Sequence, residues 1–255
     1  MDESHWLTST DPVALREFLG SRARSLFARR QSWATARKSQ LFATACCRRL
    51  GGWLPPSFVA WLDWLDDAAD GRREPPRYPR DQLDWEDSDQ PAARAALPSI
   101  WSAMTRVGRS DEAGRLAVSD FVANAFAVAG MSTALSAWLA DELREGRTPD
   151  QIPDAVIEGI REQLRIAERA AHAAVLRDIV GNPFRRADLL AEWRTTDAVA
   201  MARRMYDDRD FAGMPILADA LEEAGCTDAV FLRHCREPGP HARGCWLVDA
   251  ILRLE

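Results

Sequence analysis

The sequence predicts an all-α protein: an irregular helical bundle or array, with long central helices and a C-terminal run of short helices. Apolar residues recur three and four positions apart through most of the chain, which is the period of a helix with one buried face. We find no convincing strand alternation and no Asn-Gly or Asp-Gly turn of the kind that joins two strands. Proline, glycine and capping residues separate the periodic segments, as expected at helix ends.

The N-terminal subdomain, residues 1–70, is predicted to be helical. Pro12 follows the capping candidates Thr10 and Asp11, and proline is favoured in the first turn of a helix. The predicted helices are 12–20, 37–50 and 56–69. The polar residues before them, His5 included, are expected to form a mobile terminus.

A charged loop rich in proline, residues 71–91, is predicted to separate this subdomain from a main helical domain, residues 92–255. Two long helices are expected there, over 118–143 and 152–180. Gly181 and Pro183 are typical of a helix end. Four short helices are predicted to follow, over 195–208, 214–224, 227–234 and 241–253.

Charge is distributed unevenly along a chain whose net charge is −6. Segment 16–49 carries eight arginines and Lys38 against one acid, and segment 63–89 then carries ten acids against four arginines. We favour neutralisation of one segment by the other within the fold. The alternative is nucleic-acid binding through segment 16–49, where Phe27 and Trp33 interleave with arginines.

The sequence also indicates the cellular compartment and whether the protein associates with a membrane. The N-terminus lacks the basic and apolar regions of a signal peptide, and no stretch approaches the length of a membrane-spanning helix. The odd number of cysteines, five, does not resemble the framework of a secreted disulfide protein. We expect a cytoplasmic protein without a membrane partner.

Common catalytic motifs are absent from the sequence, including the Gly-x-Ser-x-Gly nucleophile turn, the His-Glu-x-x-His zinc motif and the Walker A lysine. Only four histidines are present. His172 follows Glu168 by four residues, so an ion pair on one helix face explains it. We therefore favour a non-catalytic protein and predict no catalytic residue, with an enzyme of unrecognised type as the alternative.

A C-terminal group of cysteines and one histidine offers four candidate zinc ligands: Cys226, Cys235, His241 and Cys245. Their spacing, C-x8-C-x5-H-x3-C, resembles a CCCH zinc finger with the last two ligand types exchanged. Core positions for the cysteines are the favoured alternative, because free cysteine is commonly buried and the intervening segment looks helical. The C-terminal segment also lacks the basic surface of an RNA-binding finger.

A second pair of thiols, Cys46 and Cys47, precedes Arg48 and Arg49. Neighbouring cations could activate one of them by favouring the thiolate. We favour a core role, with Cys46 on the buried stripe one turn after Phe42 and at most one of the two squarely on it.

The phrases LFATACCRR, LRDIVGNPFR and HCREPGPHARGCWLVD, with the WLTSTDPVALREFL segment, resemble a family of uncharacterised bacterial proteins that occur as paralogues. The resemblance covers both ends of the chain and not residues 51–174. The family has no assigned activity, so it implies no catalytic residue. PILADALEEAGC is similar to a short motif found beside protein-interaction repeats. This similarity implies an interaction module. Together with the missing catalytic motifs, it leads us to expect a non-catalytic cytoplasmic helical adaptor or scaffold that binds another protein.

Overall fold

The computed structural model describes residues 1–23, 35–74, 97–98, 100, 153–185 and 188–254. Within these ranges the regular elements are all helical, which confirms the all-α fold class. The α-helices are α1 Glu3–Thr8, α2 Pro12–Ala23, α3 Ala36–Arg48, α4 Pro56–Ala69, α5 Asp154–Val180, α6 Thr196–Asp208, α7 Met214–Glu223, α8 Ala229–Arg236 and α9 Trp246–Leu252.

Most predicted helices begin and end close to the observed bounds. α4 has the predicted bounds, and α5 ends before Gly181, whose φ of 76° lies in the left-handed region that favours glycine. α9 begins at Trp246 and not at the predicted residue 241. Segment 241–245 is a loop because its polar groups bind the end of α5, as described below. The predicted helix 118–143 and all of the loop 71–91 beyond residue 74 lie outside the described residues.

The first residues form a helix and not the mobile terminus expected from their polarity. Trp6 of α1 is fully buried, and its Nε1 donates to the backbone carbonyl of Gly181 at 3.2 Å. Asn182 donates to Glu3 at 2.7 Å, and Arg185 forms an ion pair with the same carboxylate. The N-terminal helix α1 is therefore bound to the segment that follows α5.

Two of the apolar cores among the described residues position the site. The first joins α1, α2, α3 and α5 through the buried side chains Trp6, Leu15, Leu19, Phe42, Cys46, Ala173, Val175, Leu176, Ile179 and Val180. The second lies among α6 to α9 and includes Tyr206, Leu217, Phe231 and Leu247. α9 contacts both α6 and α5, so it joins the C-terminal helices to the long helix.

Ion pairs neutralise the described cations of the second half of segment 16–49. Arg37 pairs with Asp70 and Asp249, Arg48 with Asp63 and Asp66, and Lys38 with Asp249. Arg49 binds Glu168 of α5. Acids of segment 63–89 thus pair with Arg37 and Arg48 as expected, whereas Lys38 and Arg49 pair with acids outside that segment. Residues 24–34, with Phe27 and Trp33, lie outside the described part of the chain.

Candidate metal centre

Four side chains that can ligate a metal ion meet at the interface between α5 and the C-terminal helices. They are Asp178, His234, His241 and Cys245, and their ligand atoms all lie within 4.8 Å of one another. Asp178 is in the last turn of α5, and His234 is in the last turn of α8. His241 lies in the loop between α8 and α9, and Cys245 is the N-cap residue of α9.

The separations within this group, hereafter the Asp-His-His-Cys cluster, are short enough for the four side chains to reach one ion. His241 Nδ1 lies 2.8 Å from Asp178 Oδ1, and His234 Nε2 lies 3.5 Å from the same oxygen. His234 Nε2 lies 3.1 Å from Cys245 Sγ. Zinc bonds of the usual lengths place tetrahedral ligand atoms roughly 3.3–3.8 Å apart, so the 3.5 Å separation fits that range and the two shorter separations would have to lengthen when an ion binds.

Burial sets the protonation of the cluster. It lowers the pKa of His234 to about 4, although the Asp178 carboxylate opposes this shift, so the imidazole is neutral near pH 7. Burial, together with the negative charge of Asp178, raises the pKa of the Cys245 thiol well above its ordinary value. A cation at this point would reverse that preference and favour the thiolate.

The surrounding chain fixes the cluster in place. The second oxygen of Asp178 accepts from the backbone N–H of Ala242 at 3.1 Å. Lys38 Nζ donates to the carbonyl of Ile179 at 2.6 Å and to that of Gly244 at 3.2 Å, so it holds the neighbours of both Asp178 and Cys245. Such supporting contacts orient metal ligands in known sites.

Gly244 is required where the loop passes α3. Its φ is 90°, and a Cβ atom there would lie 3.0 Å from Leu41 Cδ1. A larger residue would meet both backbone strain and a buried neighbour. The close approach allows Cys245 to reach the cluster.

The geometry does not fit a cysteine nucleophile activated by a histidine and oriented by an acid. In such a triad the acid and the nucleophile bind opposite nitrogens of the imidazole. Here Cys245 and Asp178 both approach Nε2 of His234. Cys245 is also fully buried and its thiol is held protonated, so the arrangement suits metal ligation better than attack on a substrate.

The structure brings together two of the four residues in the sequence-predicted zinc set. His241 and Cys245 belong to the Asp-His-His-Cys cluster, whereas Cys226 and Cys235 are outside it. These two cysteines lie in the C-terminal core, 2% and 1% exposed. Burial, with a smaller contribution from Cys226, raises the pKa of Cys235 to about 12.

Sequence reasoning missed Asp178 and His234. A signal was present in the phrases that carry the family resemblance: LRDIVGNPFR contains Asp178, and HCREPGPHARGCWLVD contains His234, His241 and Cys245. The two phrases thus hold the whole cluster. The spacing of the three C-terminal members is H-x6-H-x3-C.

The other cysteine pair is part of the protein interior. Cys46 and Cys47 are both fully buried, so the expectation that only one would face the core is wrong. Burial raises the pKa of each thiol, and the charge of Arg48 does not offset this effect at Cys47. This excludes the alternative of a cation-activated thiolate in the folded state. The predicted pair of His172 with Glu168 is present, at 3.1 Å.

Comparison with protein-family models, with curated proteins and with solved structures found no match to this sequence. None of the described helices combines the length and the apolar character that crossing a bilayer requires. The site is therefore interpreted from its own chemistry.

Proposed function

We propose that this chain is a metal-stabilised helical domain, in which zinc bound by Asp178, His234, His241 and Cys245 holds the C-terminal helices against α5. The observation that carries the proposal is the convergence of four ligand-type side chains from separate segments within 4.8 Å. Asp178 lies 63 residues before His241, so zinc bonds to both residues would close a long loop of the chain.

The ligand types favour zinc among the common divalent ions. Two imidazoles and one thiol suit zinc, whereas magnesium and calcium prefer all-oxygen ligands. A thiolate from Cys245 and a carboxylate from Asp178 would balance the two positive charges of the ion. That balance removes the cost of a net charge in a place where the two side chains are almost fully buried.

The proposed role of the ion is structural. Four protein ligands complete a tetrahedral zinc site, whereas a catalytic zinc keeps a position open. The neighbouring cavity is lined by His241 but not by the other three members of the cluster, so it offers a substrate little access to the ion.

A structural ion agrees with the wider role proposed from the sequence, a non-catalytic helical adaptor or scaffold that binds another protein in the cytoplasm. The ion would fix the shape of the helical surface without taking part in turnover. Nucleic-acid binding is the less favoured proposal, because Arg37, Arg48 and Arg49 are held in internal ion pairs.

Elemental analysis of the purified protein tests the site, and two buried cysteines provide a matched comparison. We expect about one zinc ion per chain, and we expect a chelator to lower the melting temperature. In cobalt-substituted protein, Cys245→Ala should abolish the thiolate-to-cobalt charge-transfer band, and Cys235→Ala should retain it. Protein that is metal-free and binds neither ion, or a band that survives Cys245→Ala, would refute the proposal.

A further inference from the structure

A cavity of about 290 Å³ lies beside the cluster, where α3, α5, the turn after α6 and the loop before α9 meet. Four arginines line it: Arg48, Arg49, Arg209 and Arg243. The volume is near the lower end of small-molecule sites, roughly 300–1,000 Å³. A cavity of this size with four guanidinium groups is suited to a small anion.

The arginines retain hydrogen-bonding capacity after their ion pairs are formed. Arg48 uses Nη2 for its carboxylate partners, Arg49 uses Nε and Nη2 on Glu168, and Arg209 uses Nε and Nη2. The Nη1 groups of these three arginines have no hydrogen-bond acceptor in the described part of the chain. Guanidinium groups present paired N–H donors that match the oxygens of a phosphate or carboxylate.

The four guanidinium groups are ion-paired, but most of the acids that balance their charge do not line the cavity. Asp66 is the single carboxylate among the described lining residues, and its side chain is only 2% exposed. Its oxygens already accept from Thr44 at 2.5 Å, from Arg48 at 2.9 Å and from Arg209 at 3.1 Å. The other partner acids are not among the lining residues. An anion in the cavity would therefore contact guanidinium donors more readily than carboxylates.

Apolar side chains form the rest of the wall, among them Leu41, Val175, Phe211 and Pro240. Bare inorganic phosphate would leave these surfaces without a partner. A ligand with an apolar body and an acidic group would bury both kinds of wall.

We infer that this cavity binds a small organic oxyanion, in which a phosphate or carboxylate contacts the arginines and an apolar body packs on the remaining wall. The inference does not require the proposed metal, because the arginines that carry it are outside the Asp-His-His-Cys cluster, of which only His241 lines the cavity. Arg209 is the best residue for a test, because it follows α6 and is a quarter exposed. Its loss leaves Asp63 and Asp66 paired with Arg48.

Calorimetric titration with phenyl phosphate, at constant ionic strength, tests the site in the full-length protein. We expect a dissociation constant below about 1 mM, and we expect Arg209→Gln to weaken binding about tenfold or more, the value of a lost charged hydrogen bond. Arg204→Gln is the control, since Arg204 carries the same charge on α6 but is 86% exposed and outside the cavity. Benzoate tests the carboxylate arm, and benzylamine has a similar body with the opposite charge.

Two measurements on the wild-type protein keep the inference testable if Arg209→Gln fails to fold. Phenyl phosphate should raise the melting temperature, and benzylamine at equal concentration should not. Phenyl phosphate should also bind more tightly than inorganic phosphate. The inference is overturned if neither phenyl phosphate nor benzoate binds, if benzylamine binds equally well, or if the Arg204 and Arg209 variants lose the same affinity.

Discussion

Replacing Asp249 with Asn tests whether a buried ion network holds the two ends of the chain together. Asp249 of α9 accepts from Arg37 of α3 through two bonds, of 2.7 and 3.0 Å, across 212 residues of sequence. Lys38 lies 3.2 Å from the same carboxylate. The Arg37 guanidinium also binds Asp70 at 2.9 Å and the hydroxyl of Tyr206 at 2.7 Å.

The size of the effect follows from burial. The side chains of Asp249 and Arg37 are 4% and 9% exposed, so neither charge is well solvated in the folded protein. Burial acts to lower the pKa of Arg37, but hydrogen bonds and charge from Asp249 more than offset this effect and raise it. Removing one partner of a buried pair typically costs about 3–5 kcal/mol. Because Arg37 keeps Asp70, we expect a loss of about 3 kcal/mol.

Urea unfolding provides the assay, with all variants compared at the same metal content. Asp249→Asn should lower the midpoint and leave the denaturant slope unchanged, because the folded surface stays the same. Glu222→Gln is the matched control, because its pair with Arg236 is about half exposed, and it should cost under about 1 kcal/mol. Equal losses in the two variants would show that the buried network does not stabilise the fold.

Three further variants address other contacts. The pKa of buried Glu168 is lowered, because hydrogen bonds outweigh the effect of burial, which acts to raise it. The ionised carboxylate therefore stabilises the folded protein above the unfolded pKa, and this stabilisation is lost as pH falls through the lower folded value. Glu168→Gln should therefore flatten the dependence of unfolding free energy on pH in that acidic window, and an unchanged slope would contradict this. Trp6→Ala should cost about 3–5 kcal/mol in urea unfolding, whereas Leu7→Ala, at a half-exposed position, should cost under about 1 kcal/mol; similar losses would refute the buried anchor. Gly244→Ala should lower the melting temperature more than Gly225→Ala, because both have positive φ but only Gly244 would bring a Cβ against Leu41; equal shifts would argue against the close approach.

The helices were predictable because their signals are local. α4 has proline in its first turn and an apolar stripe that includes Phe58, Trp61 and Leu65, and both features stand in the sequence. α1 was missed because it has only six residues, too few for a periodic pattern. Its burial depends on Gly181, 175 residues away, and no local pattern reports such a contact.

The proposed metal ligands were half predictable, for a geometric reason. Cys235 and His234 are adjacent on α8, so their side chains point about 100° apart and only one can face the cluster. Cys235 is buried in the C-terminal core, and His234 faces Asp178 and Cys245. Asp178 lies on a different helix, and only the packing of α5 against α9 brings it to the site.

The one lysine of the chain, Lys38, lies beside the cluster, where an arginine would not contact the same acceptors as well. The chain has 33 lysines and arginines in total, and only residue 38 is lysine. Its ammonium meets three acceptors: the carbonyls of Ile179 and Gly244 and the carboxylate of Asp249, at 2.6, 3.2 and 3.2 Å. An ammonium can direct its three N–H bonds to acceptors around a point, whereas a guanidinium is planar and longer. One compact cation thus joins the backbone beside two proposed zinc ligands to the buried ion network, which explains on physical grounds why arginine does not replace lysine here.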